Sequence, residues 1–267
     1  MIAMINTKLI IFEGIPGSGK TTTSQLLHKC FLENGIHSKI FIEGCEHPIE
    51  LPFYAYLSLS EYDALLSKYQ KQAEWLQQNS IIEEEYVLSP YKIPEPYPWD
   101  ETLIEYLGSK EFCYSSKPIV SFEIFKKVFC RRFEKYVNKM ITENKITIFE
   151  SVLLQHQIHD INRLYPDINE NEIIEYLKTI ANILIPLKPV LFYISRNSVK
   201  ESLKHTAFIR SKPKWATEET IAYYEKRKVL ELEAIKKLPF RSIVLDNTNY
   251  NWDKMFDDIL QTISLAK

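Results

Sequence analysis

A chain of 267 residues with 45% hydrophobic side chains is long enough to bury a sizeable core, and its 25% of charged residues is ordinary for a globular protein. A formal net charge of −2 gives no general basic field, so recognition of nucleic acid by bulk charge is excluded and any phosphate binding must come from local groups. No apolar run reaches the ~18 residues of a membrane helix, and the amino end runs into a strand pattern without a leader segment; the expectation is a soluble, cytoplasmic protein with no membrane partner.

The first element is an apolar run from Leu9 to Phe12, read as a buried strand. It passes into Gly14, four residues, then Gly19, Lys20 and Thr21, where a helical pattern opens. Strand, glycine spacing and helix together make a phosphate-binding loop of the Walker A type. Three of the chain's six glycines, Gly14, Gly17 and Gly19, lie in this loop, because consecutive amides turn inward around a phosphate only where no Cβ intervenes. Amides from Gly17 and Ser18 to Thr22 are expected to cradle phosphates, Lys20 to bring a point charge, and Thr21 to offer a hydroxyl to Mg²⁺.

A helix is predicted over residues 20 to 34, ended by Asn34 and Gly35, and a second strand over Ser38 to Ile42. Glu43, Glu46, His47 and Pro48 follow at the strand's carboxyl end, where open α/β sheets bind ligands; a solvated loop with a capping acid is the alternative. From Pro52 to about Ser89 the pattern is helical, without strand signals. Pro90, Pro94, Pro96 and Pro98 interrupt regular structure, and a short helix follows over Glu101 to Leu107. So long a connection is expected to form a lid or substrate pocket. Its aromatic residues Tyr54, Tyr56, Tyr91, Tyr97 and Trp99 suit either stacking on a planar substrate or plain packing.

Residues 119 to 143 carry Phe122, Phe125, Phe129, Phe133, Val137 and Met140 at intervals of three and four, an amphipathic helix flanked by Arg131 and Arg132. Either arginine is a site clamp or both are solvated. Ile146 to Phe149 is the third strand, ending at Glu150 and Ser151, where an acid facing the phosphate loop suits a Mg²⁺ contact or a reacting hydroxyl. Gln155, His156 and His159 follow, without a third ligand for a metal. Next come a helix over Asn171 to Ile185, a fourth strand over Val190 to Ile194, Arg196, and a helix over about Ser198 to Ala207. It leads into the basic stretch Arg210 to Trp215, placed to neutralise charge in a transition state, or else a solvated turn. A long charged helix (Glu218 to Leu238, carrying Arg227), a fifth strand (Arg241 to Leu245), the loop Asp246 to Asn249 and a last helix carrying Trp252 complete the chain. Without a linker or repeat, five strands separated by helices indicate one α/β domain with a mostly parallel sheet covered on both faces. Cys30, Cys45, Cys113 and Cys130 lack metal-ligand spacing and are expected to be free thiols, mostly buried.

The run Glu13-Gly14-Ile15-Pro16-Gly17-Ser18-Gly19-Lys20-Thr21-Thr22 resembles the phosphate loop of the thymidylate kinase and deoxynucleoside kinase group of P-loop kinases. Glu43 resembles the deoxynucleoside kinases' general base, and Phe149-Glu150-Ser151 their motif after the third strand, with Ser151 where an arginine usually stands. A closer likeness is to bacterial proteins described as thymidylate-kinase-like or ATP-binding, through Glu46 to Pro48, the run from Phe149 to Gln155, and Pro186 to Val190. The resemblance implies a P-loop three-layer α/β sandwich with a parallel sheet of order 2-3-1-4-5. It also implies a helical lid, placed at about 196–216, with Arg196 and Arg210 as the nearest matches to lid arginines; the stretch at about 46–118 matches neither family's nucleoside-binding pattern and is read, from its length, as an acceptor-side insertion.

Together these readings predict an ATP- and Mg²⁺-dependent phosphotransferase acting on a small molecule, with a nucleoside or nucleotide as leading acceptor. Lys20, Glu43, Glu150 and Arg210 are the expected catalytic residues. Gly14 through Thr22 and Arg196 hold the nucleotide, Thr21 and Glu150 the metal, and Glu46, His47, Arg132 and Gln155 the acceptor. A kinase acting on an antibiotic or other alcohol, and an ATPase or nucleotide switch working on a protein partner, are the alternatives. A homodimer is compatible with all three.

Overall fold

The computed structural model describes residues 5–44, 46–92 and 100–264. Cys45, Pro94, Pro96, Tyr97, Pro98 and Trp99 lie outside them. In chain order come β1 (Leu9–Glu13), α1 (Lys20–Glu33), β2 (Ser38–Phe41), β3 (Tyr54–Ser58), α2 (Leu59–Lys68) and α3 (Gln70–Asn79). Then follow β4 (Ile81–Ile82), β5 (Tyr86–Pro90), α4 (Glu101–Ser109), α5 (Phe122–Met140), β6 (Ile146–Glu150) and α6 (Gln155–Leu164). The chain ends with α7 (Glu170–Leu184), β7 (Val190–Ser195), α8 (Val199–Ile209), α9 (Glu218–Ile235), β8 (Arg241–Asp246) and α10 (Trp252–Ser264).

Contacts divide the chain into two compact units, where the sequence suggests one domain carrying an insertion. The larger holds residues 1–49, 126–161 and 167–267, and the smaller residues 50–125 and 162–166.

In the larger unit five parallel strands run in the order β2-β6-β1-β7-β8, which is the predicted 2-3-1-4-5 order of its strands. β1, β6 and β7 read as near-continuous apolar runs because helices cover both faces of a parallel sheet. Ile10, Phe12, Ile148 and Ile194 turn to one face and pack with Leu27 and Phe31 of α1 and Ile259 of α10. Phe149 turns to the other, where its ring lies 5.0 Å from that of Tyr136 on α5. On this face Tyr193 donates to Glu231 on α9 at 2.6 Å, and Glu231 pairs with Arg227 at 2.9 Å. The helix read as charged thus buries two of its charges, at 2% and 0% exposure.

The smaller unit corrects the helical reading of residues 52 to 89. Its antiparallel sheet, β3-β5-β4, pairs Tyr54 with Pro90 and Ser58 with Tyr86. β3 alternates, with Ala55 and Leu57 buried between half-exposed Tyr54, Tyr56 and Ser58, but tyrosine on the outer side hides the two-residue period. β5 is buried throughout and so shows no period at all. Between the strands the predicted helical pattern holds: Ser58 and Glu61 form a capping box that starts α2. Tyr56 stacks between Tyr86 and Phe112, and Tyr91 meets Phe53 edge-on, so these aromatic residues serve packing. Arg163, close after the histidines, hydrogen-bonds the carbonyls of Cys113 and Ser115. Cys113 is buried and Cys30 and Cys130 are partly buried, all three as free thiols. Among the described residues no helix is long and apolar enough to cross a membrane.

Candidate active site

At the carboxyl ends of the parallel strands, residues 14–19 form a loop that opens α1. Gly17 has φ +78°, and a Cβ there would lie 1.9 Å from Thr206 Oγ1 of α8. Gly19 has φ +108°, and its Cβ would meet the Trp252 ring at 2.6 Å. The glycines therefore serve two ends: a tight backbone turn at positive φ, and direct seating of α8 and α10 on the loop. Ser202 donates to the Pro16 carbonyl at 3.2 Å and Asn247 to that of Ser18 at 2.8 Å, tying the loop to α8 and to the turn after β8.

The loop walls a cavity of ≈ 320 Å³. Lys20, Thr21 and Thr22 line it on the α1 side; Glu43 and Glu150 come from the ends of β2 and β6. Arg210 and Trp215 come from the segment after α8, with the Arg210 guanidinium 5.6 Å from the indole ring. His205, Tyr250 and Trp252 also line it, and the sequence pattern marks none of these three for the site. Trp252 fell within an apolar helix stripe, and nothing in the spacing of His205 or Tyr250 marks them; only the meeting of α8 with the turn after β8 does.

Lys20 is 5% exposed and donates to the carbonyls of Gly14 and Ile15 at 2.9 and 3.2 Å. Burial lowers its pKa below the ordinary lysine range, opposed by the carboxylates of Glu150 and Glu43. Thr21 donates to Glu150 Oε1 at 2.6 Å, so the two residues expected at the metal are in contact. Glu150 is 1% exposed, and its other oxygen has no hydrogen-bond partner among the described residues. Burial raises its pKa while Lys20 opposes the rise. No group of three or more His, Cys, Asp or Glu side chains set to hold a metal occurs among the described residues. The donor set of one hydroxyl and one carboxylate fits an ion that takes its remaining oxygens from a nucleotide's phosphates and water.

Arg196 follows β7, with its guanidinium 4.5 Å from the Tyr250 ring and two of its nitrogens unpartnered among the described residues. Among the expected acceptor residues, Glu46 and His47 line a different cavity, described below. Arg132 donates to the carbonyls of Ile49 and Pro48 at 2.5 and 2.6 Å, a clamp on the loop after β2, whereas Arg131 pairs with Glu134 at 3.9 Å. Gln155 is buried at the start of α6. Ser151, in the arginine's place, has φ +67° and a buried hydroxyl without a partner among the described residues. A left-handed serine of this kind is uncommon and turns the chain sharply from β6 toward α6.

The α6 start is held by Glu13, which accepts the amides of Leu153 and Leu154 at 2.7 and 2.9 Å and that of Gln155 at 3.0 Å. The acid before the glycine loop is therefore a cap that fixes one end of α6 against β1. Burial pushes its pKa up to about 7, against the pull of those amides. A pKa higher in the folded than in the unfolded chain means that the native state binds the extra proton, so this contribution is full below pH ~4.5 and is lost as pH rises through ~7. Between pH 5 and 8 the wild type should lose about 3 kcal/mol more unfolding free energy than Glu13→Gln, measured by urea titration. Parallel slopes for the two proteins would show that Glu13 does not titrate in that range.

No family model matches this chain, and no curated protein is similar to it in sequence. Solved structures that resemble it include thymidylate kinase from Ehrlichia chaffeensis, at 14% identity and a TM-score of 0.44, covering 97% of this chain and 100% of that one. The fold itself is an α/β one, a five-stranded parallel sheet of order β2-β6-β1-β7-β8 flanked by helices.

Proposed function

We propose that this protein is an ATP- and Mg²⁺-dependent phosphotransferase acting on a small molecule, most simply a nucleoside or nucleotide, in the cytoplasm. One observation carries the reading: Lys20, the Thr21–Glu150 pair, Glu43 and Arg210 face a single cavity at the opening of α1. A hydrolytic switch needs Lys20 and the Thr21–Glu150 pair, whereas Glu43 and Arg210 on the same cavity serve transfer to a bound acceptor.

In this reading the amides of residues 17–22 and the start of α1 bind the phosphates. Lys20 exchanges its two backbone carbonyls for phosphate oxygens, and Arg210 adds charge as it develops on the transferring group. Thr21 and Glu150 hold the metal, which supplies charge neutralisation at the phosphates. Arg196, over Tyr250, lies on the side of the nucleotide's base. Glu43, exposed on the cavity wall, accepts the acceptor's hydroxyl proton as its oxygen bonds to the γ-phosphorus and the bond to the nucleoside diphosphate breaks.

The test is transfer from labelled ATP with Mg²⁺ to nucleosides, nucleoside monophosphates and hydroxylated antibiotics. A labelled product from the first two classes is expected. Phosphate release with no acceptor modified would replace the proposal with an ATPase.

A further inference from the structure

A second cavity, of ≈ 410 Å³, lies in the larger unit beside the edge strand β2, on the sheet face that α5 covers. The phosphate cavity opens at α1, and the two share none of their wall residues. The floor of the second is apolar and aromatic: Phe41, Met140, Pro48 and the ring of His47, which sits 5.3 Å from Phe41 and 4.6 Å from Phe149. Its rim carries Lys39, Lys139 and Lys145 against one acid, Glu46. Lys145 has a partner in Glu143 at 3.3 Å, but among the described residues neither Lys39 nor Lys139 has a carboxylate partner. Lys39 instead lies over the Phe41 ring at 4.6 Å.

Two buried groups add direction. Thr147, 1% exposed, accepts the Tyr136 hydroxyl proton at 2.7 Å and lines the cavity; its own proton has no acceptor among the described residues. A buried donor left without an acceptor is costly, and an anion in the cavity would accept from it. His47 takes the Ile49 amide on Nδ1 at 3.1 Å, which fixes the orientation of its ring in the floor. Arg132 holds the same loop through the Pro48 and Ile49 carbonyls, so the wall is set by a clamp outside the cavity.

We propose that this cavity is a binding site for a small anion with a flat apolar body, an aryl or heteroaryl phosphate or carboxylate. The ring would lie on the Phe41, Met140 and Pro48 floor and the charge would meet Lys39, Lys139 and the Thr147 hydroxyl. A concave apolar site with a few convergent polar donors is the general form of a small-molecule site. The lysines give it charge selectivity, and the floor separates it from a plain phosphate site. It does not depend on the activity proposed above.

The experiment is calorimetric titration of phenyl phosphate, inorganic phosphate and phenol into the wild type, a Lys39→Glu/Lys139→Glu variant and Lys20→Ala. Both reversed lysines are exposed, so the double variant should fold, as circular dichroism would verify. Phenyl phosphate is expected to bind at least ~10-fold more tightly than inorganic phosphate or phenol, since each of those lacks one half of the recognition. Charge reversal should weaken it ~10-fold or more, and Lys20→Ala should change it less than about 2-fold. Absence of binding, equal affinity in the charge-reversed protein, or equal affinity for inorganic phosphate would overturn the proposal. Loss of binding in Lys20→Ala would place the ligand in the phosphate loop and overturn it as well.

Discussion

Lys20→Ala should lower phosphoryl transfer by at least ~10³-fold while moving the urea unfolding midpoint by no more than ~1 kcal/mol equivalent. The two halves of that expectation have different causes. Lys20 is the one cationic side chain of the phosphate loop, and it is held at the cavity by the Gly14 and Ile15 carbonyls. An ammonium so placed stabilises charge that grows in the transition state, without reorganisation, and alanine supplies nothing in its stead. For stability, burial already works against the charged lysine, so its removal relieves a desolvation cost as it forfeits two hydrogen bonds. Single-turnover transfer and urea titration on the same preparation would separate the effects. A stable variant with full transfer would remove the catalytic assignment of the loop.

The second large effect is expected on stability. Arg227→Met strands Glu231, which is 0% exposed and, among the described residues, keeps only the Tyr193 hydroxyl as a hydrogen-bond donor. Breaking one side of a buried ion pair costs ~3–5 kcal/mol, because the remaining charge stays desolvated. Adding Glu231→Gln should recover most of the loss, since glutamine still accepts from Tyr193 without a charge to bury. Urea denaturation of the single and double variants decides it. A loss under ~1 kcal/mol in Arg227→Met would mean that the pair is not what anchors α9 to β7.

The main sheet was legible because its strands are short apolar runs, each followed by a helical period, and because a parallel sheet between two helical layers leaves that signature. The smaller unit was less so. Tyr54 and Tyr56 are neither clearly inward nor outward, and the continuous burial of Tyr86 to Pro90 carries no period. The charge of Arg227 and Glu231 likewise favoured a solvated helix face, although their spacing of four also sets them on one face with Ala234 and Leu230 beside it.

By itself the sequence determined the glycine turn between β1 and α1, with Lys20 and Thr21 opening the helix, and the acid at the end of β6, because they hang on local chemistry: glycines that only a tight backbone turn requires, in the fixed spacing between a strand and a helix. Tertiary structure alone decided that His205, Tyr250 and Trp252 wall that loop and that Glu13 caps α6 across 140 residues of chain. It also set Glu46 and His47 beside lysines from α5 and the strand pair β2 and β6. Such neighbours are set by strand order and helix crossing, and side chains far apart in the chain leave no spacing in it to read.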